Sequence, residues 1–354
     1  MNQDELKKDD PQIGAVGGEA LMEGIMMRGP KGAAVALRLA DGSIETTMKK
    51  VISPADKHKW LGWPLIRGPV NFVWSMIFGY KCLMESSEKA ATGAMEGEEV
   101  VAESKLDKWL EAHWGPKMVT AITIIGTLLG LGLAVLLFMW APEKLAGLIN
   151  KYAPADLSRF IPLISGGVRV VLFVGYMFVM SLLKDIRRVF QYHGAEHKSI
   201  FCYEAGLPLT VENVKAQSRL HPRCGTSFLF LMILLSILIS SLMMVPDGWR
   251  EFLKDNILWR MLIKIGMFPL IMALGYEFIR YAGKHLRNPL VRVISAPGLA
   301  LQRITTKEPD DKIIEVGIAA LKAALGLKAE EAEDKSEDDN PAGDADSAGD
   351  APAE

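Results

Sequence analysis

His193, Glu196 and His197 form an H-x-x-E-H string, and Glu204, His221 and Cys224 follow it in the same stretch of chain. On a helix, positions i and i+4 lie on one face about a turn apart, so the two imidazoles can chelate one divalent cation. The intervening Glu196 is then a candidate general base. Glu204 comes eleven residues after His193, near three full turns, and shares that face if the helix is unbroken. His221-Pro222-Arg223-Cys224 brings a second His/Cys pair just before an apolar run. The expected ion is zinc, held by His193 and His197, with Glu204, His221 or Cys224 supplying the remaining ligand. The order of the motif is that of the inverted zinc proteases, and the matching chemistry is metal-assisted hydrolysis of a peptide or lipid-linked substrate. A blander account stands beside it. So short a string arises by chance, its histidines can pair with Glu196 or Glu204 or meet lipid phosphates with Arg187 and Arg188, and Cys224 can be a small buried residue. A metal, if bound, can also be a structural staple.

The elements that must position these residues are mostly apolar helices. Met118 to Pro142 and Gly225 to Pro246 carry no charged residue, each long enough to cross a bilayer. Phe160 to Leu183 is apolar apart from Arg169, and Ile257 to Ala282 carries Arg260, Lys264 and Glu277, with Pro269 expected to bend it. The fold class is therefore an α-helical integral membrane protein. Its spans fall at about 118–141, 160–183, 226–246 and 257–282, in a membrane domain 118–282 that carries the motif loop 184–225. Arg169 either snorkels to the headgroups or faces a substrate or a carboxylate such as Glu277. Lys184, Arg187, Arg188, Lys198, Lys215, Arg219 and Arg223 crowd the loop after the second span, and Lys284, Arg287 and Arg292 follow the fourth. That bias places both termini and the motif loop in the cytoplasm, across a bacterial inner membrane. Three widely spaced cysteines, Cys82, Cys202 and Cys224, fit reduced thiols there.

The other segments read as accessories to this membrane domain. Residues 1–12 are polar, with no apolar core for a signal peptide, and read as disordered. Residues 13–60 form a small β-rich cytoplasmic domain, in which Ala33–Leu39 and Ile44–Val51 flank an Asp41-Gly42 hairpin turn. The glycines from Gly17 to Gly24 suggest close backbone approach or positive φ, and Glu23 and Arg28 suggest an ion pair. Residues 61–117 comprise an apolar segment, Trp63–Tyr80, whose charge-free part is too short to span and which reads as an interfacial or re-entrant helix or a buried core helix, followed by a polar linker entering an amphipathic helix. The cytoplasmic segment 283–327 carries another amphipathic helix, with Ile314, Ile318, Leu321 and Leu325 on one face, expected to pack within the chain. Residues 328–354 are a disordered acidic tail. The net charge of −2 gives no sign of nucleic-acid binding. The partners expected are the lipid bilayer, approached by Lys198, Lys215, Arg219 and Arg223, and a membrane or cytoplasmic protein. The alternative to a hydrolase is a non-enzymatic scaffold or accessory factor for membrane-protein insertion or assembly.

Several strings taken together resemble the YqhQ-like family of bacterial integral membrane proteins. They are Gly17-Gly18-Glu19-Ala20 with Glu23 to Pro30, Tyr192 to Lys198, Thr210 to Val214, Ser218 to Ser227, and Gln302 to Thr306. The resemblance runs in order from about residue 13 to 325. It departs at Glu19, where a Gln-like residue is expected. It implies a multi-pass membrane fold and a metal-dependent enzyme that uses the His, Glu and Cys residues of these strings.

Overall fold

The computed structural model describes residues 16–97, 121–122, 124–243, 246–254, 256–285 and 288–327. The segments expected at 1–12 and 328–354, the stretch 98–117 and the first residues of the first span lie outside the described residues.

Residues 17–49 form an antiparallel meander of four strands: β1 (Gly17–Leu21), β2 (Gly24–Gly29), β3 (Gly32–Arg38) and β4 (Ile44–Lys49). Asp41-Gly42 turns β3 into β4 as expected, with Gly42 at φ +88° and the Asp41 carboxylate accepting from the Ser43 amide at 2.8 Å. In the β1–β2 turn the left-handed residue is Glu23 (φ +52°) rather than a glycine. That conformation is costly for a side-chain-bearing residue. The Glu23 carboxylate is held in place by the Arg188 guanidinium and by the Tyr192 hydroxyl, which donates to it at 3.2 Å. The expected Glu23–Arg28 pair therefore does not form. Arg28 instead donates to Ser75 Oγ at 2.8 Å and lies over the Trp74 and Phe78 rings.

Alternation along the strands gives the sheet two apolar faces. Ile25, Met27, Ala34 and Ala36 face one side, and Leu21, Met26, Ala33, Val35 and Leu37 the other. Helix α1 (Arg67–Gly97) covers the second face through Phe78, Cys82 and Leu83. It is helical through residues 85–97, where a linker was expected. Its first half leaves the sheet and joins the apolar helices: Arg67 pairs with Glu277, Asn71 donates to the Tyr276 hydroxyl at 3.2 Å, and the Phe72 and Phe228 rings lie 5.4 Å apart.

Among the described residues, four helices are long and apolar enough to cross a membrane: α2 (Ile124–Tyr152), α3 (Ser158–Met180), α6 (Gly225–Met243) and α8 (Leu258–Gly283 within Ile257–Lys284). Their apolar side chains are largely exposed, as a lipid-facing surface requires. Pro269 lies inside α8 without ending it. Between α3 and α6 run α4 (Lys184–Glu204) and the short α5 (Val211–Lys215), which is capped by the Thr210 hydroxyl. A short helix α7 (Asp247–Lys254) precedes α8. After α8 come α9 (Pro289–Thr305), a helix the sequence reading missed, and α10 (Asp311–Leu325).

α10 is the expected amphipathic helix. Asp310 accepts from the Ile313 amide at its start, and Gly326 at φ +75° closes its end. Ile313, Ile314, Ile318 and Leu321 bury against the first face of the sheet together with Tyr192, Ala195 and Ile200 of α4. The sheet is thus sandwiched between α1 and an α4/α10 layer. α4 has one side in that core and the rest of its circumference free to build a site.

Candidate metal centre

α4 is unbroken from Lys184 to Glu204, so His193, Glu196 and His197 fall on adjoining positions of its surface. That stretch is buried: Glu196 is 6% and His197 2% exposed. The His193 and His197 rings have centroids 4.4 Å apart. Opposite them the chain enters α6 through His221-Pro222-Arg223-Cys224, and Cys224 Sγ lies 3.2 Å from His193 Nε2. One donor atom from each of His193, His197 and Cys224 falls within 4.8 Å of the other two, close enough for all three to hold one ion.

The backbone orients both rings. His193 Nδ1 lies 2.9 Å from the Thr305 carbonyl and His197 Nδ1 2.6 Å from the Arg219 carbonyl, so each Nδ1–H donates outward and each Nε2 keeps its lone pair for the centre. Metal-binding histidines are commonly fixed in this way. Thr226 is on the other side of the thiol, with its Oγ1 3.1 Å and its amide 3.4 Å from Sγ. Two imidazoles and a thiolate are borderline-to-soft donors, the set that suits zinc among the common divalent ions.

The electrostatics without an ion are those of an ion pair. Burial alone would raise the Cys224 thiol, but the neighbouring His193 and His197 outweigh it and hold the group well below its usual range. Burial likewise opposes charge on His193, and the thiolate beside it prevails, raising the imidazole to about 9. An incoming cation takes the place of that imidazolium proton.

The five donors expected from the sequence divide into two groups. His193, His197 and Cys224 converge. His221 adjoins them, its ring 5.5 Å from that of His197, and its buried Nε2 has no hydrogen-bond partner among the described residues, with Glu204 Oε2 3.8 Å away. The Glu204 carboxylate, only 3% exposed as a residue, is held by the Arg223 guanidinium. Burial pushes the His221 imidazole down to about 4, so it is neutral at neutral pH. The cations expected to face lipid or an acidic partner are engaged within the chain as well. Lys198 and Arg219 meet Glu308, Lys215 meets Asp311 at 2.7 Å, and Arg223 meets Glu204.

Glu196 lies in the wall of a cavity of about 600 Å³ that also exposes the three donors. The wall comes from β1, from Phe72, Ser75 and Met76 of α1, from α4, and from the start of α6. Burial raises the Glu196 carboxyl above the ordinary range, with the two imidazoles pulling the other way. Glu19 lines the same cavity, and its carboxyl is raised by burial and further by Glu196, against the pull of Arg28. The sequence reading gave Glu19 no role. Gly18 brings β1 onto Glu196. A Cβ at Gly18 would stand 2.8 Å from both Glu196 Cγ and the Met26 carbonyl oxygen.

Gln302 also went unassigned, and it places Cys224. Fully buried in α9, it accepts from the His221 amide at 2.7 Å and donates to the His221 carbonyl at 2.8 Å and to Ser227 Oγ at 2.7 Å. It clamps the loop on both sides of Cys224. Gln302→Ala removes the partner of the His221 amide and of the Ser227 hydroxyl, each worth about 1–3 kcal/mol, while the His221 carbonyl keeps the Cys224 amide. The expected result is a lower melting temperature in detergent together with weaker metal retention. A variant with unchanged melting and unchanged metal content would remove the clamp from this account.

A helical protein with four membrane-length spans and a buried His–His–Cys cluster beside a small antiparallel sheet is the class that fold and site define. The chain belongs to the family described as protein of unknown function (DUF1385), which matches residues 63–327. It is 32% identical over 317 residues to the uncharacterized protein YqhQ of Bacillus subtilis (strain 168), covering 89% of this chain and 93% of that protein. No solved structure matches.

Proposed function

We propose that the protein is a metal-dependent hydrolase of the bacterial inner membrane, with its site at the cytoplasmic face. The observation that carries this reading is that His193, His197, Cys224 and Glu196 reach one cavity large enough for a substrate. Three protein donors are the usual complement of a catalytic zinc site, which keeps a position open, whereas a structural site takes four. A divalent ion there supplies Lewis acidity to a substrate carbonyl or phosphoryl oxygen. Glu196 is the proton carrier. Its carboxyl lies beside the donors, and burial keeps its affinity for protons above that of an exposed glutamate. The Gly18 backbone and the two imidazoles pull that carboxyl the other way.

The cytoplasmic assignment rests on Lys and Arg placement, since segments 184–225 and 283–292 are richer in both than the connections after α2 and before α8. Substrates are peptides or lipid-linked molecules that reach the cavity from the membrane surface, where α1 and α6 contribute Phe72, Met76, Phe228 and Leu229.

Glu196→Gln keeps the shape and removes the proton carrier. Metal content is expected to stay at the wild-type level while turnover of peptide and lipid-ester substrates falls by about 10²–10⁴-fold. Undiminished turnover in the variant would exclude Glu196 as the base. A scaffold stapled by a structural metal predicts instead that both proteins are inert and equally stable. The cluster does join α4, the 221–224 loop and the end of α9, which is the observation on the scaffold's side.

A further inference from the structure

A second polar site lies inside the spans, away from the metal centre. In α2 the turn Leu136–Trp140 is a π-helix, a feature frequent at functional sites. The residue four after Phe138 is Pro142, which has no N–H to give to the Phe138 carbonyl. Arg169 Nε of α3 donates to that carbonyl at 2.8 Å. Arg169 is eleven residues from either end of Ser158–Met180, about 16 Å at 1.5 Å per residue, which is the middle of the span. Its other neighbours are Ser236 Oγ at 3.4 Å and Glu143 at 3.9 Å. Glu143, 1% exposed, is held more closely by Lys264 and by Arg260 at 3.2 Å. Glu277, a carboxylate that Arg169 could have faced, belongs to Arg67.

Arg169 and Lys264 both line a cavity of about 430 Å³ whose other lining is apolar except for Ser236. Phe138, Phe173, Met232 and Phe268 supply much of that wall. Charge in the hydrocarbon region is expensive and is kept where it meets an opposite charge. The carboxylate at this cluster is already in contact with Lys264 and Arg260, and the atoms within hydrogen-bonding distance of Arg169 are neutral. An anion on Arg169 complements that charge, and an alkyl chain complements the wall. We propose that this cavity binds an amphiphile with an oxyanion headgroup, phosphate or carboxylate, the headgroup on Arg169 and Lys264 and the chain along α3, α6 and α8. The site does not depend on the metal centre, although Leu229 contributes to the walls of both cavities.

The test is calorimetric titration of the full chain, purified in an uncharged maltoside detergent, with dodecyl phosphate, dodecanoate and dodecanol. The oxyanion amphiphiles are expected to bind at least about tenfold tighter than dodecanol, and Arg169→Gln is expected to erase that preference. Stronger binding of dodecyl phosphate names lipid phosphate as the source, and stronger binding of dodecanoate names fatty acid. Equal binding of dodecanol overturns the proposal on the wild-type protein alone, whether or not the variant folds. An undiminished preference in Arg169→Gln with wild-type melting overturns it as well.

Discussion

On the proposed metal reading, Cys224→Ser and His193→Ala are each expected to bring metal content, zinc first, from near-stoichiometric to background by elemental analysis of detergent-purified material. Each removes one of the three donors that reach a common point among the described residues, and the two remaining imidazole or imidazole–thiolate donors are left to compete with water. Changing even an outer partner of a metal site costs about 10–100-fold in affinity, so the loss of a ligand itself exceeds that. Glu204→Gln provides the contrast. Its carboxylate is spent on Arg223 and lies against His221, so the variant is expected to keep its metal and lose stability instead. Metal retained in Cys224→Ser but lost in Glu204→Gln would reverse the assignment of ligands. Acidification of the wild type is expected to release the ion, since His193, His197 and Cys224 all bind protons in competition with it.

Gly194→Ala is expected to cost about 3 kcal/mol, the upper end of the range for overpacking a tight contact. Gly194 sits inside the H-x-x-E-H string, and the segment after α9 lies directly on it. A Cβ there would fall within the van der Waals radius of the Lys307 carbonyl oxygen. The Lys307 backbone has little room to yield, because its amide donates to the Phe190 carbonyl at 2.8 Å and the preceding Thr306 amide donates to the Gln302 carbonyl. Displacing this segment also moves the Thr305 carbonyl that orients His193. Melting temperature and zinc content should therefore fall together. Gly167→Ala, in α3 with nothing within 4 Å of the added methyl, is the neutral control. Equal behaviour of the two variants would show that close approach at Gly194 does not matter.

Much of the architecture was legible because it is written in short-range patterns. Asp41-Gly42 between alternating strands specifies a hairpin, and Ile314, Ile318, Leu321 and Leu325 specify one face of a helix. The charge-free runs specify spans, since lipid forbids unpaired backbone whatever the neighbours are. α9 carries two prolines, Pro289 and Pro297, a composition that argues against a helix. Pro289 instead occupies the first turn, behind an Asn288 cap that accepts from the Leu290 amide at 2.9 Å. The continuation of α1 past residue 85 has the polar composition of a linker, and what ties it to the sheet is the pairing of Glu85 with Lys49 and of Lys89 with Glu45.

Ion pairing was the least legible feature. The sequence reading left Arg169 to the headgroups or to a substrate or carboxylate such as Glu277, and set Glu23 against Arg28 and Lys198, Lys215, Arg219 and Arg223 against outside partners. The structure puts Arg169 on the Phe138 carbonyl, Arg28 on Ser75 and Glu23 on Arg188, and sets the loop cations against Glu308, Asp311 and Glu204. Charges act over several ångströms and in any direction, so their partners are chosen by how helices stack and not by spacing along the chain.

The same division holds for the candidate centre. Sequence by itself determined that His193 and His197 share a helix face with Glu196 between them, because 3.6 residues per turn leaves no other outcome once α4 is a helix. Only the tertiary structure decided which third donor joins them. Cys224 does so because Gln302, 81 residues beyond His221, clamps its loop against α9, and Glu204 does not because Arg223 reaches it first. Convergence of donors from separate segments is a property of packing, and packing is set by contacts distant in the chain.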